Sequence, residues 1–189
     1  MRTLPALEIP RKIWTREEAR ALVEMGFPNA ENLELIDGEL IDRMGKKHLH
    51  NLWQNLILNW LQKNFGSEYV QVEPSIYVSP EDNLRNEPEP DLIVTTHSIR
   101  EYKDNVTPED IRLLIEIADS SVSFDLNQKA RLYARAGIVD YWVVDIPAQL
   151  VHVHREPKRG AYANVAQYGF HQKINPLASQ DAVFCMEAL

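Results

Sequence analysis

Apolar side chains recur at steps of three and four residues over residues 47–65, which is the spacing of one face of an α-helix. Gly66 follows the last of them and is a typical helix stop. A shorter helix is predicted to begin after Thr15 and to end near Gly26, because Thr15 and Glu18 have the spacing of a capping box.

Three stretches of the chain are almost continuously apolar, as is typical of strands that helices cover on both faces. They are Asp91–Thr95, Arg112–Ala118 and Asp140–Asp145. Residues 124–136, between the second and the third, have helical periodicity and are followed by Gly137. A strand, a helix and another strand in this order form a crossover connection. The pattern therefore predicts an α/β fold with a central mixed β-sheet flanked by α-helices.

Shorter strands are predicted on both sides of this centre. Asp37-Gly38 separates two short apolar segments and predicts a tight hairpin, because both central residues of a type I′ turn need positive φ. Alternation from Tyr69 to Val78 predicts another strand, which a polar, proline-rich loop follows. Residues 150–155 and 161–168 are predicted to be edge strands.

Length and composition predict one globular domain, since the chain has 189 residues, 44% of them apolar, and shows no internal repeat. A formal net charge of −8 excludes a broad positive field, so a nucleic acid would have to bind at a local site.

The single cysteine, Cys185, excludes an internal disulfide. We find neither a signal peptide nor an apolar stretch that would span a membrane, so we expect a cytoplasmic protein.

Two carboxylates interrupt the predicted buried strands. Asp91 opens one strand directly after Pro90, and Glu116 lies inside the apolar run of another. An ionised carboxylate in a dry interior is costly unless it is paired or bound to a metal. On neighbouring strands the two can share one cation, and hard oxygen ligands favour Mg²⁺ or Mn²⁺. For Asp91 alone, a capping role at the strand start is the alternative.

Lys129 lies on the predicted helix that follows these strands. At 100° per residue it falls about 60° from the centre of the stripe that faces the sheet. Its ammonium can therefore reach the strand ends, although a solvated position is also open to it. Asp125, one turn earlier, can hold Lys129 or stabilise the helix N-terminus. Two carboxylates and a lysine suit metal-dependent hydrolysis of phosphodiesters, in which the lysine orients the attacking water.

These motifs resemble the Uma family of predicted endonucleases, which belongs to the PD-(D/E)XK superfamily with its restriction-endonuclease-like fold. The matching segments are Pro90-Asp91, Glu116-Ile-Ala118, Asp125-Leu-Asn-Gln-Lys129 and Gly137–Asp145. The resemblance implies that Asp91 and Glu116 bind the metal, that the carbonyl of Ile117 is a third ligand, and that DNA is the substrate. It also implies a homodimer for double-strand cleavage, with the apolar residues 1–12 as a connecting arm.

One position departs from the superfamily motif, because Ala118 stands where its lysine is expected. The resemblance assigns the role of that lysine to Lys129. We therefore expect an endonuclease with Asp91, Glu116 and Lys129 as catalytic residues. The alternative is a catalytically inactive nuclease-fold domain that binds nucleic acid or protein. The expected parts are an arm and short helix (1–30), a nuclease core (31–155) and C-terminal edge strands (156–189).

Other polar residues are weaker candidates. Glu39 after the hairpin turn and His50 at the start of the long helix occupy recurrent positions of the family and can contact a metal, a water or a phosphate. Their alternatives are an ordinary hairpin residue and a helix-terminal histidine. Glu73 can face the same cleft. His152 and His154 alternate on one strand without an evident third ligand, so we expect a solvated edge strand rather than a metal site.

Overall fold

The computed structural model describes residues 11–43 and 48–189. Most of the predicted arm and the predicted start of the long helix at Lys47 lie outside these ranges. The helices are α1 (Arg16–Glu24), α2 (His48–Phe65), α3 (Val122–Phe124) and α4 (Ala130–Ala136), and a π-helical turn (Asp125–Lys129) joins α3 to α4. The strands are β1 (Leu33–Ile36), β2 (Glu39–Asp42), β3 (Val70–Val72), β4 (Leu92–Thr95), β5 (Ile111–Ala118), β6 (Asp140–Asp145), β7 (Leu150–Lys158) and β8 (Ala161–Gly169).

A six-stranded mixed sheet forms the centre of the molecule, in the order β3-β4-β5-β6-β7-β8. Only β5 and β6 are parallel, and the chain between them supplies α3, the π-helical turn and α4. All other neighbours are antiparallel. The strands β1 and β2 form a separate hairpin. This architecture confirms the predicted fold class. The predicted three-part division of the domain stays a prediction.

Each face of the central sheet is covered by its own layer. On one face, Ile57 and Leu61 of α2 pack with Phe184 of the C-terminal segment in one buried cluster. On the other face, Tyr133 of α4 packs edge-on against Tyr141 of β6, with their ring centroids 5.0 Å apart. Burying an apolar side chain of this size contributes about 1.5–3 kcal/mol. None of the helices in the described ranges is long and apolar enough to cross a membrane.

The predicted caps and turns are confirmed. The Thr15 side chain accepts a hydrogen bond from the Glu18 backbone N–H, and the Glu18 side chain accepts one from the Thr15 N–H, so the capping box is complete. Asp37 and Gly38 have φ values of 48° and 81°, as a type I′ turn requires. Gly137 ends α4 in the left-handed conformation.

The strand predicted over Tyr69–Val78 is wrong beyond its first residues, because β3 contains only Val70–Val72. Glu73 has a φ of 51°, and Pro74 follows it. A left-handed residue turns the chain out of the strand direction, and a proline has no N–H to continue the ladder. The remaining residues up to Val78 add only an isolated bridge between Ile76 and Val106.

The expectation that β7 is an edge strand is also wrong. β7 lies between β6 and β8, because Arg159 and Gly160 both have positive φ and form a tight hairpin that folds β8 back along it. His152 and His154 are therefore buried rather than solvated. Burial lowers the pKa of His154 to about 4, since desolvation disfavours its charged form and His152 adds repulsion.

Asp140 connects the start of β6 to the C-terminal segment. It is fully buried, and its carboxylate accepts hydrogen bonds from the Arg155 guanidinium, the Trp142 indole N–H and the Leu177 backbone N–H. We predict that Asp140→Ala lowers the free energy of unfolding by about 3 kcal/mol, because it leaves these donors without their acceptor. Urea unfolding measures this loss. Asp181→Ala, at an exposed site, is the control and should change stability by less than about 0.5 kcal/mol. Equal midpoints for the two variants would contradict the prediction.

Candidate active site

The pairing of β4 with β5 brings Asp91 next to Glu116. Leu92 is paired with Ile115 in an antiparallel register, and continuing that register by one residue places Asp91 opposite Glu116. Directly opposite residues of an antiparallel pair point to the same face. Asp91 Oδ2 also accepts a 2.7 Å hydrogen bond from the backbone N–H of Ile117. The two predicted metal ligands therefore lie side by side at the end of the sheet.

The carbonyl of Ile117 is on the Asp91 side of β5. The N–H and C=O groups of one strand residue point to the same side of the strand. The Ala118 carbonyl accepts from Ile146 just after β6, so the groups of Ile117 point away from β6, and its N–H does reach Asp91. A third oxygen donor at this place is thus compatible with the backbone.

Lys129 contacts Glu116 directly. Its Nζ lies 3.0 Å from Oε1 of Glu116, and the Tyr133 hydroxyl donates to the same oxygen over 2.8 Å. Lys129 and Glu116 are only 5% and 3% exposed. The π-helical turn over 125–129 has a wider winding than the regular helix on which the prediction was based. In this setting the Lys129 ammonium is buried beside Glu116 rather than solvated.

The electrostatics of this pair follow from burial. Desolvation raises the pKa of Glu116 well above its usual range, Asp91 adds to this, and Lys129 opposes it. Burial alone would lower the pKa of Lys129, but the nearby carboxylates Glu116, Glu34 and Asp125 outweigh it and hold that pKa well above the usual value. The Lys129 side chain is therefore an ammonium at neutral pH and cannot act as a general base.

Glu34 is a site residue that the sequence reasoning missed. It lies on β1, it is 3% exposed, and its Oε1 is 2.9 Å from Nζ of Lys129. The same oxygen accepts a 2.9 Å hydrogen bond from the Glu89 backbone N–H. The signal was present in the sequence, because Glu34 interrupts an apolar strand segment just as Glu116 does. The side chain of Glu89 in turn is paired with Arg43.

Asp125 lies on the same helical turn as Lys129. It is buried, and it is hydrogen-bonded to the Ser121 hydroxyl over 2.5 Å. Burial raises the pKa of Asp125 to about 6, against the opposing effects of Lys129 and of the Ser121 hydrogen bond. Asp125 therefore adds negative charge near Lys129 at neutral pH. Its two predicted roles, holding Lys129 or stabilising the helix N-terminus, stay predictions.

His50 approaches the site from α2. Its Nε2 is 3.2 Å from both carboxylate oxygens of Asp91, and its buried Nδ1 has no hydrogen-bond partner. The structure therefore places His50 in contact with Asp91, the side chain that was predicted independently to bind a metal. His50 is also the third residue of α2, so both its predicted role at the site and the alternative of a helix-terminal histidine stay predictions.

These side chains line one cavity of about 400 Å³. Its acidic residues are Glu34, Asp42, Glu89, Asp91, Glu116, Asp119 and Asp125. Two other candidates are not among its lining residues. Glu39 is half exposed and 3.4 Å from Arg11, and Glu73 receives a 3.0 Å hydrogen bond from Gln54, which is 3.5 Å from the Asp91 carbonyl. Glu73 thus lies next to the Asp91 backbone but outside the cavity lining, whereas Glu39 lies at the hairpin surface.

The donor set fits a hard divalent cation. Among residues 11–43 and 48–189, no three His, Cys, Asp or Glu side chains are arranged to hold a metal together. Mg²⁺ keeps several waters and needs only one or two protein carboxylates, so Asp91 and Glu116, with the Ile117 carbonyl, meet this requirement. Any cation there would also offset the local excess of negative charge.

The position of Ala118 explains why a lysine from the helix can reach this site. Side chains of a strand alternate between faces, so residue 118 is on the same face of β5 as Glu116. That face is covered by α4, and Lys129 comes from the turn just before α4. A lysine at 118 and a lysine at 129 would therefore approach Glu116 on the same side of the sheet.

Comparisons with known proteins agree with this fold. The family model Uma2, described as "Putative restriction endonuclease", matches residues 17–183. The chain is also similar to the crystal structure of "a putative nuclease belonging to DUF820" from Anabaena variabilis, with a TM-score of 0.67, 14% sequence identity, and coverage of 94% of this chain and 96% of that one. A comparison with curated proteins gives no match. Because the family model covers most of the chain, the protein belongs to the Uma2 family.

Proposed function

We propose that this protein is a metal-dependent endonuclease that hydrolyses DNA phosphodiester bonds with Mg²⁺ or Mn²⁺. The observation that carries the proposal is the convergence of Asp91, Glu116 and Lys129 on one cavity, with Lys129 Nζ 3.0 Å from Glu116. The nuclease-like fold and the Uma2 family support the reaction class.

The protein's own groups have distinct parts in this proposal. Asp91, Glu116 and the Ile117 carbonyl would hold the divalent ion. The ion supplies charge neutralisation at the scissile phosphate and lowers the pKa of the attacking water. Lys129 is an ammonium, so it donates hydrogen bonds and stabilises negative charge on the phosphate or on the attacking oxygen. It does not remove a proton.

The charge distribution predicts how DNA would bind. Seven carboxylates line the cavity, whereas its cationic residues Arg43 and Lys129 are both paired with carboxylates. A phosphodiester is repelled by such a site until a cation occupies it. DNA binding is therefore expected to depend on the metal. Cleavage of both strands would need two sites, so we include a homodimer in the proposal.

Asp91→Asn is predicted to abolish nicking of a supercoiled plasmid in the presence of Mn²⁺. The amide keeps the shape of the carboxylate and can still accept the Ile117 N–H, but it loses the charge that holds the cation. Titration calorimetry should show Mn²⁺ affinity falling by about 10-fold or more. Asp181→Asn is the matched control and should behave like the wild type. Cleavage that survives Asp91→Asn would disprove the proposed site, and wild-type DNA binding without cleavage would favour the inactive alternative.

Lys129→Met is predicted to lower kcat by at least about 100-fold while Mn²⁺ affinity stays the same or increases. The variant keeps most of the buried stem and removes only the charge that stabilises the reacting phosphate. Plasmid nicking and calorimetry measure the two effects separately, and thermal unfolding checks that the variant is folded. Lys63→Met, at an exposed position of α2, is the control. A parallel loss of Mn²⁺ affinity would instead make Lys129 a structural partner of the carboxylates.

A further inference from the structure

Glu34 is rigidly placed, although it belongs to the small hairpin outside the central sheet. β1 is bridged to the loop that leads into β4, through the Glu87 N–H to the Leu35 carbonyl over 2.8 Å. The Asp37 N–H donates to the Asn86 side chain over 2.7 Å. The hairpin is thus hydrogen-bonded to the segment that ends at Asp91. The Glu34 carboxylate is therefore held by the same segment that leads to Asp91, one of the proposed metal ligands.

Two buried carboxylates share the Lys129 ammonium. Its Nζ lies 2.9 Å from Glu34 and 3.0 Å from Glu116, and all three residues are at most 5% exposed. A buried ammonium is stable only when its charge is compensated and its N–H groups are hydrogen-bonded. Here the compensation comes from two carboxylates, each in direct contact with the ammonium.

Glu116 and Glu34 differ in the contacts that they make besides the one to Lys129. Glu116 Oε1 already accepts from both Lys129 and Tyr133, and Glu116 would also share its charge with the divalent ion. The other contact of Glu34 is the backbone N–H of Glu89, which carries no net charge. The negative charge of Glu34 therefore acts on Lys129. When the ion is bound, Glu34 is therefore the stronger remaining partner of the ammonium.

We infer that Glu34 is a positioning residue that holds the Lys129 ammonium beside Glu116 in the metal-loaded enzyme. This inference rests on the proposed function. It assigns the β1–β2 hairpin a part in the reaction, because the hairpin delivers a carboxylate that contacts the lysine and is not one of the proposed metal ligands.

Glu34→Gln tests the inference by separating turnover from binding. It keeps the size of the side chain and removes its charge, so kcat for plasmid nicking should fall about 10- to 100-fold, while KM and Mn²⁺ affinity stay near the wild-type values. Glu34→Asp should restore part of kcat. Glu109→Gln makes the same chemical change at an exposed position outside the cavity lining, so it is the matched control and should change none of these. A loss of Mn²⁺ affinity in Glu34→Gln would overturn the inference, since Glu34 would then be a metal ligand.

A second measurement reports the position of Lys129 without relying on cleavage. In ¹H–¹⁵N spectra of the Mg²⁺-loaded protein, an ammonium held in stable buried hydrogen bonds exchanges slowly with water and gives a signal, which Lys129→Arg assigns. We expect this signal in the wild type and in Glu109→Gln, and its loss in Glu34→Gln. An unchanged signal in folded Glu34→Gln would overturn the inference. If the wild type cleaves no DNA, the proposed function fails, and the spectra alone decide the role of Glu34.

Discussion

The buried ammonium of Lys129 is the group around which the site is arranged. A single positive charge that is 5% exposed lies between Glu34 and Glu116, each at about 3 Å. Removing either an ammonium or a carboxylate from water costs several kcal/mol, and the contacts between the opposite charges offset part of that cost. Five further acidic residues line the same cavity, namely Asp42, Glu89, Asp91, Asp119 and Asp125. A site of this composition has room for a further cation and favours one electrostatically.

Three separate parts of the fold have to meet for this arrangement to form. The β4–β5 register places Asp91 beside Glu116, the π-helical turn before α4 brings in Lys129, and the β1–β2 hairpin brings in Glu34. Each part is held by its own contacts, such as the Tyr141 hydroxyl that donates to the Asp125 carbonyl over 3.0 Å. An extended π-helical turn is uncommon and often occurs at functional sites. Here it carries the two charged residues, Asp125 and Lys129, that the helix contributes.

The sequence predicted the strands that build the centre because their apolar runs are long and uninterrupted, and Glu116 was identified because it breaks such a run. Glu34 breaks a shorter one, but a four-residue strand gives a weak pattern, and only the folded hairpin shows that it reaches Lys129. Burial of His152 and His154 was missed for a related reason. Whether a strand lies at an edge depends on its pairing, and the Arg159-Gly160 turn that folds β8 against β7 is not a typical hairpin sequence. Long-range pairing, rather than local propensity, decided each of these positions.

The net charge of −8 at first argues against a protein that acts on DNA. The distribution of that charge changes the interpretation, because seven of the acidic residues line the cavity that contains Lys129. The most direct test of the account is a crystal structure of the protein soaked with Mn²⁺ and measured at an energy where manganese scatters anomalously. We predict a peak within about 2.1 Å of carboxylate oxygens of both Asp91 and Glu116, with Lys129 still at Glu34. A manganese ion bound elsewhere in the cavity, with neither Asp91 nor Glu116 as a ligand, would contradict it.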